Sequence, residues 1–167
     1  MIKAKPQHEL SVFLDFAKAA GISIDTSTVE SRNPPEPDIR CICASEPVYF
    51  ELGRILDPYM QNRRKKALKN APTQVSVNTN RAGVPERDML QEKLSKHYQT
   101  DGVPLELLLY YDTERPMVMG GIPPVDFESL ALQIMVPLLT PMPSHIRRVW
   151  VFERYRNSVM WRYPRSA

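Results

Sequence analysis

Two carboxylates on neighbouring extended segments are the residues of this chain best placed to do chemistry. The run Glu30-Ser31-Arg32-Asn33-Pro34-Pro35-Glu36-Pro37-Asp38 is followed by Val48-Tyr49-Phe50-Glu51-Leu52-Gly53. Asp38 and Glu51 fall on what reads as one β-hairpin, with Glu30 just upstream. Like charges facing each other across a strand pair repel unless a proton or a cation lies between them. A divalent metal ion is the most productive solution. Two carboxylates and a strand carbonyl such as that of Leu52 offer magnesium or manganese its oxygen ligands, and such an ion keeps waters through which it meets phosphate oxygens. It polarises a phosphodiester and acidifies an attacking water. Glu30 is placed to reach the same ion or to orient its waters.

The hairpin decides whether the two acids meet. A turn at Ala44-Ser45 puts Asp38 directly opposite Glu51, and strand parity then separates two faces. Ile39, Cys41, Cys43, Val48, Phe50 and Leu52 make one face, uniformly apolar, that belongs in a core. Asp38, Arg40, Ile42, Tyr49, Glu51 and Gly53 make the other, a polar face with the acid pair near its open end. Arg40 shares that face and offers an alternative, a structural salt bridge to the acids. The prolines at 34, 35 and 37 pin their own φ and constrain their predecessors, fixing how the chain enters the Asp38 strand. Cys41 and Cys43 point the same way and read as buried free thiols, since a disulfide between them closes only with strain. Zinc would need two further ligands, and His8, His97 and His145 are scattered without metal-site spacing.

The hairpin must be carried by a larger sheet. Apolar positions Leu10, Phe13, Leu14, Ala17 and Ala20 predict a helix over 8–20, ended by Gly21. A strand is expected over 22–29, then strands over 38–44 and 47–56. A basic helix is expected over 57–72, with Asp57 as cap and Pro58 as first helical residue, and a short strand over 73–79. Residues 85–98 read as a helix with Met89, Leu90 and Leu94 on one side. Leu105–Tyr111 is almost wholly apolar, the pattern of a strand covered on both faces. A helix over 127–139 and a hairpin of 146–154 with 158–163 complete the chain. This order predicts one α/β (mixed α+β) domain over 1–167, a three-layer sandwich of helices on a central mixed sheet. Its core is expected at about 8–111, with the C-terminal helix and arginine-rich hairpin over 126–163.

The net charge of +3 is mild, so its distribution carries the information. Arg63, Arg64, Lys65 and Lys66 form one basic run, either a solvated helix face or, beside a phosphate-binding site, a nucleic-acid contact acting by counterion release. No apolar run approaches the roughly 20 residues needed to span a bilayer. The N-terminal stretch lacks the apolar core of a secretory signal, which makes the cytoplasm the expected location.

A Pro-Asp entering a strand, Glu-x-x on the next strand and an acid upstream resembles the PD-(D/E)XK nuclease superfamily. The resemblance implies a restriction-endonuclease-like core of helix, three meandering strands, helix and strand. It implies a magnesium- or manganese-dependent endonuclease, with nucleic acid as partner. Asp38 and Glu51 would be the metal-binding acids and Glu30 the upstream acid, together the catalytic set. The chain departs from the pattern at Gly53, which stands where the family has its lysine. Arg54 is adjacent but points to the other face unless Gly53 opens a bulge. Lys93 and Lys96 on the following helix are further substitutes, with Gln91 and Tyr98 as polar candidates there. Two rival readings stand beside hydrolysis. One is a non-catalytic protein of the same fold acting as a binding or assembly module. The other is a homo-oligomer joined through the terminal arginine-rich hairpin.

Overall fold

Apolar side chains at helical spacing near the start of the chain form α1, Ala4–Ala20. Gly21, at φ 64°, ends it: the Gly21 and Ile22 amides turn back onto the Lys18 and Ala17 carbonyls. That left-handed cap is where glycine costs least. The buried stripe runs through Val12, Phe13, Phe16 and Ala17, whereas Leu14, expected on it, is 39% exposed. The computed structural model describes residues 4–55, 84–112 and 126–165. The segments expected as a basic helix over 57–72 and a strand over 73–79, including Arg63, Arg64, Lys65 and Lys66, lie outside the described residues.

Among the described residues six strands form one mixed sheet in chain order: β1 Ile24–Ser31, β2 Ile39–Cys43, β3 Glu46–Arg54, β4 Leu105–Tyr111, β5 Ile146–Glu153 and β6 Ser158–Tyr163. The first three make an antiparallel meander, β4 lies parallel to β3, β5 parallel to β4, and β6 returns antiparallel. Ala44 and Ser45, at φ 47° and 72°, make the tight turn between β2 and β3. Paired positive φ values are what the right-handed twist of a two-residue hairpin requires. The resulting register pairs Ile39 with Phe50, Cys41 with Val48 and Cys43 with Glu46, as the sequence predicts.

Parity divides the core into two layers. Ile39, Cys41, Val48, Phe50, Leu52, Leu108, Trp150 and Phe152 meet α1 on one face. Phe16 packs edge-on to Trp150 and Phe152 there, with ring centroids 5.2 and 5.8 Å apart. Cys41 and Cys43 lie on this face as free thiols, their sulfurs 3.5 Å apart.

On the opposite face α2, Pro85–Ser95, and α3, Phe127–Ile134, cover Tyr49, Leu105, Leu107, Leu109, Val149 and Val151. Asp126 caps α3 by accepting the Ser129 amide at 2.8 Å. Pro137 interrupts the helix expected through residue 139, and the chain continues as a 3₁₀ turn over Val136–Leu139. β4 is buried along its whole length, as its apolar run predicts. Helices on both faces of one mixed sheet make this an α/β architecture. No helix among the described residues is long and apolar enough to cross a membrane.

One expectation needs correction. The face carrying Tyr49, Glu51 and Gly53, expected to be polar, is buried at all three residues, with Lys93 of α2 on Glu51 and Met89 against Gly53. Parity tells which residues share a face but not what lies on top of it.

Candidate active site

The proline turn is held by side chains before any site is formed. Arg32 donates to both oxygens of Glu36, Nε to Oε2 and Nη2 to Oε1, each at 2.9 Å. Tyr49 Oη on β3 donates to Glu36 Oε1, also at 2.9 Å. These bonds hold the Glu36 carboxyl below its usual range, that from Arg32 contributing most. The Arg32 amide donates to the Asp38 carbonyl at 2.8 Å and closes the loop. Asp38 is thereby delivered to the position just before β2, opposite Glu51.

There the backbone ladder gives way to side chains. Leu52 N donates to Asp38 Oδ2 at 2.8 Å, and Asp38 N lies 3.3 Å from Glu51 Oε2. Each carboxylate receives an amide from the opposing strand, so two backbone donors without strand partners find acceptors. The two acids are consequently locked beside each other.

The charge balance comes from α2. Lys93 Nζ donates to Glu51 Oε1 at 2.6 Å, with both residues over nine-tenths buried. Burial, above all, and the neighbouring Asp38 carboxylate push the Glu51 carboxyl above its usual range despite the lysine. Desolvation and Asp38 together therefore outweigh the attraction of Lys93 and the weaker pull of Lys96. A buried pair of this kind is poor evidence for stability, because replacing it with well-packed apolar groups is often neutral or better. Perturbed carboxylates held next to a specific cation are better evidence for a working site. Tyr98 Oη donates to the Lys93 carbonyl at 3.1 Å, and burial and the two acids hold its phenol well above its ordinary range.

A further acid comes from α1. Glu9, paired with Lys5 at 3.4 Å, is pushed up first by burial and next by Asp38, with Lys93 opposing. The helical periodicity that predicts α1 marks its apolar stripe and does not single out Glu9.

The other sequence-selected residues separate from this cluster. Glu30 lies near the end of β1 with its side chain 54% exposed, and it pairs with Arg32 at 3.2 Å. Arg54 follows Gly53 in uninterrupted register with β4, so no bulge turns it; its guanidinium lies 3.5 Å from Asp112. Lys96 pairs on the surface with Glu92 at 3.2 Å. Gln91 is exposed. Arg40, the rival partner for the acids, sits opposite Tyr49 in the hairpin and opposite Glu30 on β1.

Gly53 is tightly packed on this face. A Cβ at this position would stand 2.9 Å from both Leu109 Cδ2 and Met89 Sδ. The helix that brings Lys93 to Glu51 thus excludes any side chain at residue 53.

Among the described residues no group of three or more His, Cys, Asp or Glu side chains is arranged to hold a metal. The acid pair does suit magnesium or manganese, which one or two carboxylates hold together with waters and substrate phosphates. The ammonium already seated on Glu51 marks a position that favours positive charge. Comparison with family models, curated proteins and solved structures finds no match for this chain.

Proposed function

We propose that this chain is a metal-dependent phosphodiester hydrolase, a variant of the PD-(D/E)XK nucleases whose lysine is supplied by α2. The observation that carries the reading is the 2.6 Å contact between Lys93 Nζ and Glu51 Oε1, next to Asp38. The order α1, β1–β3, α2, β4, with β4 parallel to β3, supports it, being the order that the resemblance implies. Asp38 and Glu51 would hold magnesium or manganese, which when bound supplies Lewis-acid polarisation of a phosphate and a more acidic water.

The chain's own residues do the rest. Leu52 N and Asp38 N fix the two carboxylates, so little reorganisation is needed when charge arrives. Lys93 brings a positive charge to the position where a phosphate would meet the acids. Glu9 adds an acid able to accept a proton from an attacking water. The basic run Arg63, Arg64, Lys65 and Lys66 would contact the nucleic-acid backbone.

The decisive experiment is cleavage of labelled single- and double-stranded DNA and RNA with magnesium or manganese, comparing the wild type with Asp38→Ala and Glu51→Ala. We expect activity in the wild type and a loss of about a hundredfold or more in each variant, at or beyond the top of the range for disturbing a metal's supporting shell. Folded wild-type protein that cleaves none of these substrates, yet binds nucleic acid equally well with and without the two acids, would establish the non-catalytic binding module instead.

A further inference from the structure

The Lys93 ammonium and a divalent cation would need the same place on Glu51. Nζ lies 2.6 Å from Oε1, while Oε2 already faces the Asp38 amide at 3.3 Å. Asp38 Oδ2 is likewise engaged, by the Leu52 amide at 2.8 Å. The carboxylate oxygen facing the helix is therefore the one under the lysine. We propose that Lys93 is the resident counter-ion of the acid pair, and that magnesium or manganese binds by displacing it from Glu51. This regulation of the site rests on the metal-dependent reading above.

Two physical consequences separate this role from that of a lysine that simply faces substrate. First, a displaced Lys93 is a buried cation without its partner, and such a charge is costly. Metal binding is therefore weak until an anion, such as a phosphate of the substrate, takes up the freed ammonium. Metal and phosphate favour each other's binding by the same factor, as linkage requires. Second, removing the ammonium should improve metal binding in the absence of substrate. It leaves two adjacent carboxylates whose repulsion a metal relieves, and it takes away a competing positive charge. A lysine that only faces substrate would leave metal affinity unchanged.

Surroundings favour an exchange of partners here. Tyr98 holds the Lys93 backbone carbonyl rather than its ammonium. Lys93 belongs to the last turn of α2, and the Lys96 amide caps that end by donating to its carbonyl at 3.4 Å. The ammonium thus sits at the end of a long aliphatic arm, rooted where the helix stops.

The test is manganese titration of the full chain without nucleic acid, followed by calorimetry and by thermal unfolding, in wild type, Lys93→Met and Lys93→Arg. We expect Lys93→Met to bind manganese about tenfold more tightly or better, since a like charge within about 4 Å is removed. Its melting temperature should rise with manganese by more than that of the wild type. Lys93→Arg, which keeps the charge, should stay close to wild type. Should Lys93→Met fold only with manganese, that too supports displacement; if it does not fold at all, Lys93→Gln takes its place under the same criterion. Equal or weaker manganese affinity in a folded, uncharged variant overturns the proposal and leaves hydrolysis by the wild type standing. Absence of manganese binding in the wild type and the uncharged variants overturns both readings.

Discussion

Two buried glutamates sit on adjacent strands of this sheet, and their surroundings are opposites. Glu106 on β4 lies on the α1 face, 2% exposed. Its Oε1 accepts Arg147 Nε at 2.8 Å and Nη2 at 2.7 Å, and its Oε2 accepts Trp150 Nε1 at 2.6 Å. Glu51 on β3 lies on the α2 face, with one lysine, the Tyr98 phenol, one long amide contact and a second carboxylate beside it. A guanidinium fork matches carboxylate geometry, whereas an ammonium is a point charge on a flexible stem. Glu106 is a closed structural acid. Glu51 has no guanidinium on it and lies close to another negative charge, which leaves it the less well compensated of the two.

Substitution should pull the two apart. The largest effect is expected at Glu51 and Asp38, whose loss should remove the proposed hydrolysis. Glu106→Gln should do the reverse, keeping cleavage and manganese binding but costing about 2 kcal/mol in urea unfolding. That is toward the lower end for a broken buried charge cluster, because Arg147 stays partly in water. A Glu106→Gln protein of normal stability, or one that loses cleavage while folded, would erase the distinction.

Gly53 offers a finer test. Gly53→Ala should cost about 1–3 kcal/mol, the usual penalty for overfilling a packed site, with Met89 able to yield and buried Leu109 much less so. Gly53→Lys should also fail to restore cleavage to Lys93→Met, because residue 53 and α2 compete for one space. Recovery of activity in that double variant would show that the helix gives way.

The smallest effect concerns the turn that delivers Asp38. Glu36 is held below its usual pKa, so its bonds to Arg32 and Tyr49 stabilise the fold above the ordinary carboxylate range. That contribution is lost as pH falls through the lowered value. Glu36→Gln should therefore be less stable than wild type near neutral pH, with the difference vanishing in acid. Unfolding curves across pH would check this, and a difference that grows in acid would assign the turn's stability elsewhere.

Much of this fold is legible from local pattern. The β2–β3 register follows from a two-residue turn and alternation, so Asp38 and Glu51 come out opposed. Leu105–Tyr111 announces a doubly covered strand, and Gly21 a helix end. Long-range packing is what escapes. Lys93 meets Glu51 across 42 positions of sequence, so only the descent of α2 onto β3 distinguishes it from Lys96. Gly53 reads as a missing lysine until Met89 is seen against it. Glu30 looks like a site acid by order along the chain, but Arg32, two residues on, holds it. Asp25 accepts from the Ser27 amide and hydroxyl, a local bond that disturbs β1 and shifts its register before Glu30.

The strand order has a bearing on synthesis. Because the six strands of the described residues lie in the sheet in the same order as in the chain, none of these six has to be inserted between two already paired. Each strand can join the free edge left by its predecessor as the chain lengthens. Asp38 and Glu51 come in with the second and third strands, Lys93 with the helix before the fourth. Every residue of the acid pair and its counter-ion has therefore been made before the terminal hairpin exists.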